Sequence, residues 1–145
     1  MQAFKKLLAV FALAFATHLM WEYAHSFLYE AYQGSAITGF VLFHAALGDA
    51  VILTVLAALF MNVPFLRQRA WLVVPVGIVI AVAIERYALA AGRWAYGPHM
   101  PLVPFLHIGL TPTLQLGLLG YLVFTLVGLT GSRPRRLLFA RSGGR

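Results

Sequence analysis

The chain has 145 residues, 61% of them hydrophobic and only 10% charged, and a formal net charge of +7. Soluble domains carry roughly 25% charged residues, and so short a chain cannot hide this much apolar surface in a core, so the expected solvent is lipid. The absence of cysteine excludes disulfides, thiolate metal sites and thiol redox chemistry. A nucleic-acid partner is excluded too, because the basic residues gather at the chain ends and in one loop, not on an aromatic-studded face.

Four apolar segments are long enough to cross a bilayer core, which takes about 20 residues. The first runs from Leu7 to Tyr29. Its basic start and Ala14-x-Ala16 pattern imitate a secretory leader, but the apolar run continues through Leu19, Met20 and Trp21, so it reads as a retained span. The second runs from Phe40 to Met61 and is stopped by Asn62 and Pro64. The third runs from Trp71 to Ala91 and ends at Gly92. Residues 92–110, "GRWAYGPHMPLVPFLHIGL", are long for a loop with no helix of its own. They are apolar and carry Trp94, Tyr96, Pro98, Pro101 and Pro104, which predicts an ordered lid at the outer interface. The fourth span starts at Thr111-Pro112, an N-cap followed by proline at the first helical position, and ends near Thr130-Gly131.

The expected fold is therefore an all-α membrane protein, a four-helix transmembrane bundle over residues 1–131, followed by a basic tail over 132–145. Lys5, Lys6, Arg67, Arg69 and the arginines of the tail fall on one side of such a bundle, and only Arg86 and Arg93 fall toward the other. The positive-inside rule then puts both termini in the cytoplasm. The tail reads as an anchor to anionic lipid.

The acidic residues are four: Glu22, Glu30, Asp49 and Glu85. Glu30 falls at the outer interface, and the others lie inside spans. A carboxylate at mid-membrane costs about 2.5–3.5 kcal/mol on insertion scales, so such groups face the bundle interior. At a rise of about 1.5 Å per residue, Glu22 and Glu85 lie roughly 10 Å below the outer ends of their spans, and His44 and Gln115 about 6 Å below theirs. His18 and Asp49 lie deeper. His18, Glu22, His25 and Tyr29 form one stripe of their helix, and Glu85 shares a stripe with Gly77 and Ala81, small residues that let helices approach closely. His44 and Asp49 are five residues apart and do not share a face, so one of them serves packing and the other the site. The expectation is a shared polar pocket beneath the Trp94 segment.

The stretches "HLMWEYAHSFLY", "LGDAVILT", "GRWAYGPHMPLVP" and "GLTPTLQ" together resemble a family of small, uncharacterised four-span bacterial inner-membrane proteins, a resemblance that implies this architecture and no activity. More faintly, His18-x-x-x-Glu22 is similar to the acid-bearing helix of emopamil-binding-type sterol isomerases, and Gly92-Arg-Trp94-Ala-Tyr96 to part of the small lycopene cyclase domain. The Pro-x-Glu-Glu motif of that domain is missing, since Pro112 is followed by Thr113, Leu114 and Gln115.

These residues support several chemistries. As an enzyme acting on a membrane lipid or isoprenoid, Glu22 or Glu85 donates a proton to an olefin, His18 or His25 returns it, and Trp21, Trp94 and Tyr96 stabilise the cation, with His44, Asp49 and Gln115 as further substrate contacts. As a proton-coupled cation transporter, the same carboxylates bind the cargo, and the bundle must form a homo-oligomer or join a larger membrane complex to make a path. As a structural subunit, the polar groups only hold the helices in register. Glu22-x-x-His25 occurs once, whereas di-iron bundles repeat that motif and add two more carboxylates, so no metal site is assigned and the cofactor stays unknown.

Overall fold

The computed structural model describes residues 1–130, so the basic tail expected at 132–145 lies outside the described residues. Helix α1 spans Gln2–His25, starting earlier than its apolar run, so that Lys5 and Lys6 sit in its first turns. A 3-10 turn at Ser26–Leu28 leads into strand β1, Tyr29–Tyr32. Helix α2 spans Gly39–Asn62 and is capped by Thr38, whose hydroxyl accepts from the Val41 amide at 3.4 Å. Pro64–Arg67 forms the single-turn helix α3, and α4 runs from Val73 to Ala90 after a 3-10 turn at Ala70–Leu72. Strand β2 is Trp94–Tyr96, and α5 is Leu110–Leu126.

Three helical segments, Gln2–Leu28, Gly39–Asn62 and Ala70–Ala90, are long and apolar enough to cross a membrane, which suggests a multi-pass membrane protein. Helix α5 is apolar but has only 17 residues. It stops at Leu126 rather than Thr130 because Gly128 turns left-handed (φ 72°). The Gly128 and Leu129 amides then bond back to the Thr125 and Phe124 carbonyls at 3.1 and 2.8 Å. The same device ends α4 at Gly92, where the Gly92 and Arg93 amides reach the Leu89 and Ala88 carbonyls at 3.0 and 2.8 Å. At its start α5 begins one residue before the expected cap. Gly109 is its N-cap, and Thr111 turns its hydroxyl to the Met100 sulfur at 3.6 Å.

The helices pack as two pairs, α1 with α2 and α4 with α5, joined mainly where α1 meets α5. The α4–α5 contact is made by backbone. A Cβ on Gly77 would stand 2.7 Å from Gly117 Cα, and one on Gly117 would stand 2.5 Å from the Val74 carbonyl oxygen. Helices α2 and α4 make no comparable interface, which leaves a gap on that side of the bundle. The other end of the bundle is filled. Val10, Ala14, Leu53, Leu56, Ala57, Phe60, Val73, Val123 and Phe124 form a dry core there. Exposed leucines and valines, among them Leu8, Val51, Val55, Val79, Leu118 and Leu122, cover its outside.

The lid departs from an all-α fold. Strands β1 and β2 pair antiparallel, with Tyr29 opposite Tyr96 and Tyr32 opposite Trp94. The ribbon is held by aromatic contact. The Tyr32 and Tyr29 rings lie 4.7 and 5.0 Å from Trp94, and Tyr29 lies 5.5 Å from Tyr96. Residues 97–109 then fold down onto the bundle, burying Met100 and Ile108, so the lid is ordered as its composition suggests.

Candidate functional site

Four helices contribute to one polar cluster. In α1, the apolar stripe Val10, Ala14 continues into His18, Glu22 and His25, all buried, because positions three and four apart share a face. In α4, the small residues Gly77 and Ala81 bring Glu85 onto the buried stripe. In α5, Gln115 lies between Thr113 and Leu116 on the face packed inward. Asp49 comes from α2.

Gln115 joins three of these helices. Its Nε2 lies 2.7 Å from Glu22 Oε1, 3.0 Å from Asp49 Oδ2 and 3.1 Å from His18 Nδ1. An amide nitrogen has two hydrogens, and the two carboxyl oxygens are the acceptors that need them. His18 Nδ1 stands 3.0 Å from Asp49 Oδ2 and donates to it, so its approach to Gln115 is a contact, not a third bond. Asp49 Oδ2 therefore accepts from two donors. The other ring nitrogen, His18 Nε2, is buried and finds no partner among the described residues.

Glu85 belongs to a second set. The Tyr96 hydroxyl donates to Glu85 Oε1 and accepts from the Gly109 amide at 2.8 Å, so one phenol ties α4 to the lid and to the start of α5. Tyr29 stands beside the same carboxyl. Burial pushes both phenols above their ordinary pKa, with the neighbouring carboxyl adding to the shift, so both remain neutral donors across the physiological range.

The two sets face one cavity of about 550 Å³. Glu22, Asp49, Glu85 and Gln115 line it together with His44, Tyr29, Tyr32, Phe40, Tyr87, Arg93 and Trp94, and with aliphatic residues of α2 and α4. Of its rim residues, Phe40, Ile84 and Tyr87 are also exposed on the outside of the bundle, so the cavity opens sideways between α2 and α4. Its size falls in the 300–1,000 Å³ range usual for small-molecule sites.

Glu22, His44, Glu85 and Gln115, expected at one level, line the same cavity, and Asp49, expected deeper, lines it with them. His18 stands behind this wall as the partner of Asp49, and Tyr96 as the partner of Glu85. His44 lines the cavity, but its Nδ1 is engaged by the Phe40 carbonyl of its own helix at 2.8 Å. Of the α2 pair, Asp49 is therefore the one in the network. His25 and Trp21 stand apart. The His25 Nδ1 donates to the Trp21 carbonyl at 2.6 Å, its ring packs 5.5 Å from Tyr29, and neither residue lines the cavity. Sequence reasoning missed Tyr32, Phe40, Tyr87 and Arg93 as lining residues. The tyrosine at position 29 carried a signal, being seven residues beyond Glu22 on the same stripe. Among the described residues no group of three or more His, Asp or Glu side chains is arranged to hold a metal ion. Compared with known proteins, the chain has no match: no family model, no curated protein and no solved structure.

Proposed function

We propose that this is a small multi-pass inner-membrane protein, with both termini cytoplasmic, that draws a lipid or isoprenoid from the bilayer through the α2–α4 gap and shifts a proton on it. The observation that carries the reading is one cavity lined by carboxyls from three helices, with Gln115, His44 and Arg93 beside them and aliphatic and aromatic side chains over the rest of its wall. Glu22, held by the Gln115 amide, and Glu85, held by the Tyr96 phenol, form two differently supported proton stations on that cavity. In a double-bond migration one station donates a proton to an olefinic carbon and the other removes one from a neighbouring carbon. One C–H bond forms and one breaks, with no oxidant, reductant or water consumed. The rings of Trp94, Tyr29 and Phe40 stand where they stabilise the intervening cation. Transport of a cation fits less well, because beyond His18 and Asp49 the bundle is closed by Val10, Ala14, Leu53 and Phe124.

The test is to purify the protein with its bound lipid from cells grown in ordinary water, incubate it in deuterated buffer, and extract the lipid for mass spectrometry. Wild type is expected to retain an isoprenoid or lipid carrying solvent deuterium at a carbon position. Glu85→Gln and Glu22→Gln are each expected to lose that label while keeping the wild-type melting temperature in detergent. Lowered melting in both, with bound lipid and label unchanged, would instead assign the carboxyls to helix registry alone.

A further inference from the structure

The reaction proposed above makes no use of the hairpin over residues 101–110. It is closely bonded. The Val103 amide reaches the Ile108 carbonyl at 2.8 Å, the His107 amide the Val103 carbonyl at 3.2 Å and the Leu110 amide the Pro101 carbonyl at 2.7 Å. Ile108, 1% exposed, seats its base. Its tip points the other way: Phe105 is 96% exposed, flanked by Leu102 at 47% and Leu106 at 40%. Phe105 and His107 have left-handed backbone, φ 67° and 54°. That region crowds the Cβ of a non-glycine residue against its own backbone. The hairpin holds this conformation and turns a phenyl ring outward. Such strain persists where the surrounding structure imposes it and where it has a use.

What covers the tip is indicated by its surroundings. No charged residue occurs from Trp94 to Ser132. Directly after the hairpin Leu110 is exposed in the first turn of α5, and Leu118, Leu122 and Leu126 form an exposed i, i+4, i+8 row further along it, so the apolar surface of the tip runs on into that of the helix. We infer that Phe105, with Leu102 and Leu106, inserts into the boundary between headgroups and acyl chains of the leaflet beside the cavity mouth. The inference rests on the membrane reading above. With no lysine or arginine in the tip, recognition is of acyl chains and does not depend on anionic lipid. Because Gly109 at the hairpin base donates to Tyr96, and Tyr96 to Glu85, the anchored tip also fixes the lid over the carboxyls.

The chain contains no cysteine, so single cysteines report cleanly. Phe105→Cys, and Leu106→Cys in case the first does not fold, are labelled with an environment-sensitive fluorophore in the full chain. Val55→Cys, exposed in the middle of α2, serves as the lipid reference and Glu30→Cys as the water reference. The proteins are reconstituted in phosphatidylcholine vesicles, with or without phosphatidylglycerol, containing lipids that carry a quencher high on the acyl chain. The expected result is quenching at 105 or 106 well above that at 30, equal in both vesicle types, at a depth of about 5–10 Å. A probe that behaves as at position 30, while 55 is quenched, overturns the inference and leaves the membrane reading standing. A probe shielded from both lipid quencher and aqueous iodide also overturns it, and identifies a protein partner or a second copy. If position 55 is unquenched as well, both readings fall.

Discussion

At the residue scale the site depends on Gln115. Its amide is the one group that satisfies Glu22 and Asp49 together, and those carboxyls sit on different helices. Gln115→Leu leaves both acceptors without that donor, and a buried polar group left unpaired costs about 1–3 kcal/mol. Gln115→Glu places an acceptor where two acceptors already point and is expected to be the worse of the two. Thermal melting of both variants in one detergent checks the order. Tyr96→Phe is expected to be milder for the fold. It removes the donor to Glu85 and the acceptor for the Gly109 amide, and should show itself as faster amide hydrogen exchange at Gly109. Much of this was legible in the sequence. The helical rise put Glu22, Glu85 and Gln115 at one depth, and the scarcity of acids made each conspicuous. Not legible was the fate of His25 and Trp21. Depth and stripe placed His25 with Glu22, but its ring bonds to the helix's own backbone one turn back, where α1 gives way to a 3-10 turn.

At the scale of elements, the long helices were readable from apolar length, with Asn62 and Pro64 marking the end of α2. Gly92 marked the end of α4, and the same logic applied to Gly128 ends α5 at Leu126, a signal that the longer apolar run obscured. The β1–β2 ribbon was hidden. Its strands are four and three residues long, and aromatic runs at an interface read equally well as a membrane belt. Pairing of segments so far apart in sequence leaves no local period to read, which is why Tyr32 and Arg93 escaped notice as neighbours of the carboxyls. The glycines of the α4–α5 contact give the sharpest prediction. Gly77→Val forces a side chain against the backbone of Gly117, which cannot move aside as a side chain can. Overpacking of this kind costs about 1–3 kcal/mol. The expected result is a clearly lowered melting temperature, together with loss of bound lipid as α4 shifts.

Taken whole, the molecule is two helix pairs joined along α1 and α5, with the cavity in the gap left between α2 and α4. Gly48 lies on the wall of that gap, and a Cβ there meets nothing within 4 Å. Gly48→Leu is therefore expected to fill the cavity without straining the bundle. Melting should match wild type, while bound lipid in the extract falls to background. A normal lipid load in this variant would move the ligand out of the gap. The packed end, from Val10 to Phe124, sets a further condition on the proposed chemistry. In the proposed reaction, a chamber closed at its packed end and open between α2 and α4 is entered and left by that flank. Reactant and product must use it in turn, within one leaflet, so neither is carried across the bilayer. Turnover should then run to a simple chemical equilibrium, indifferent to the voltage or pH difference that a pump would exploit.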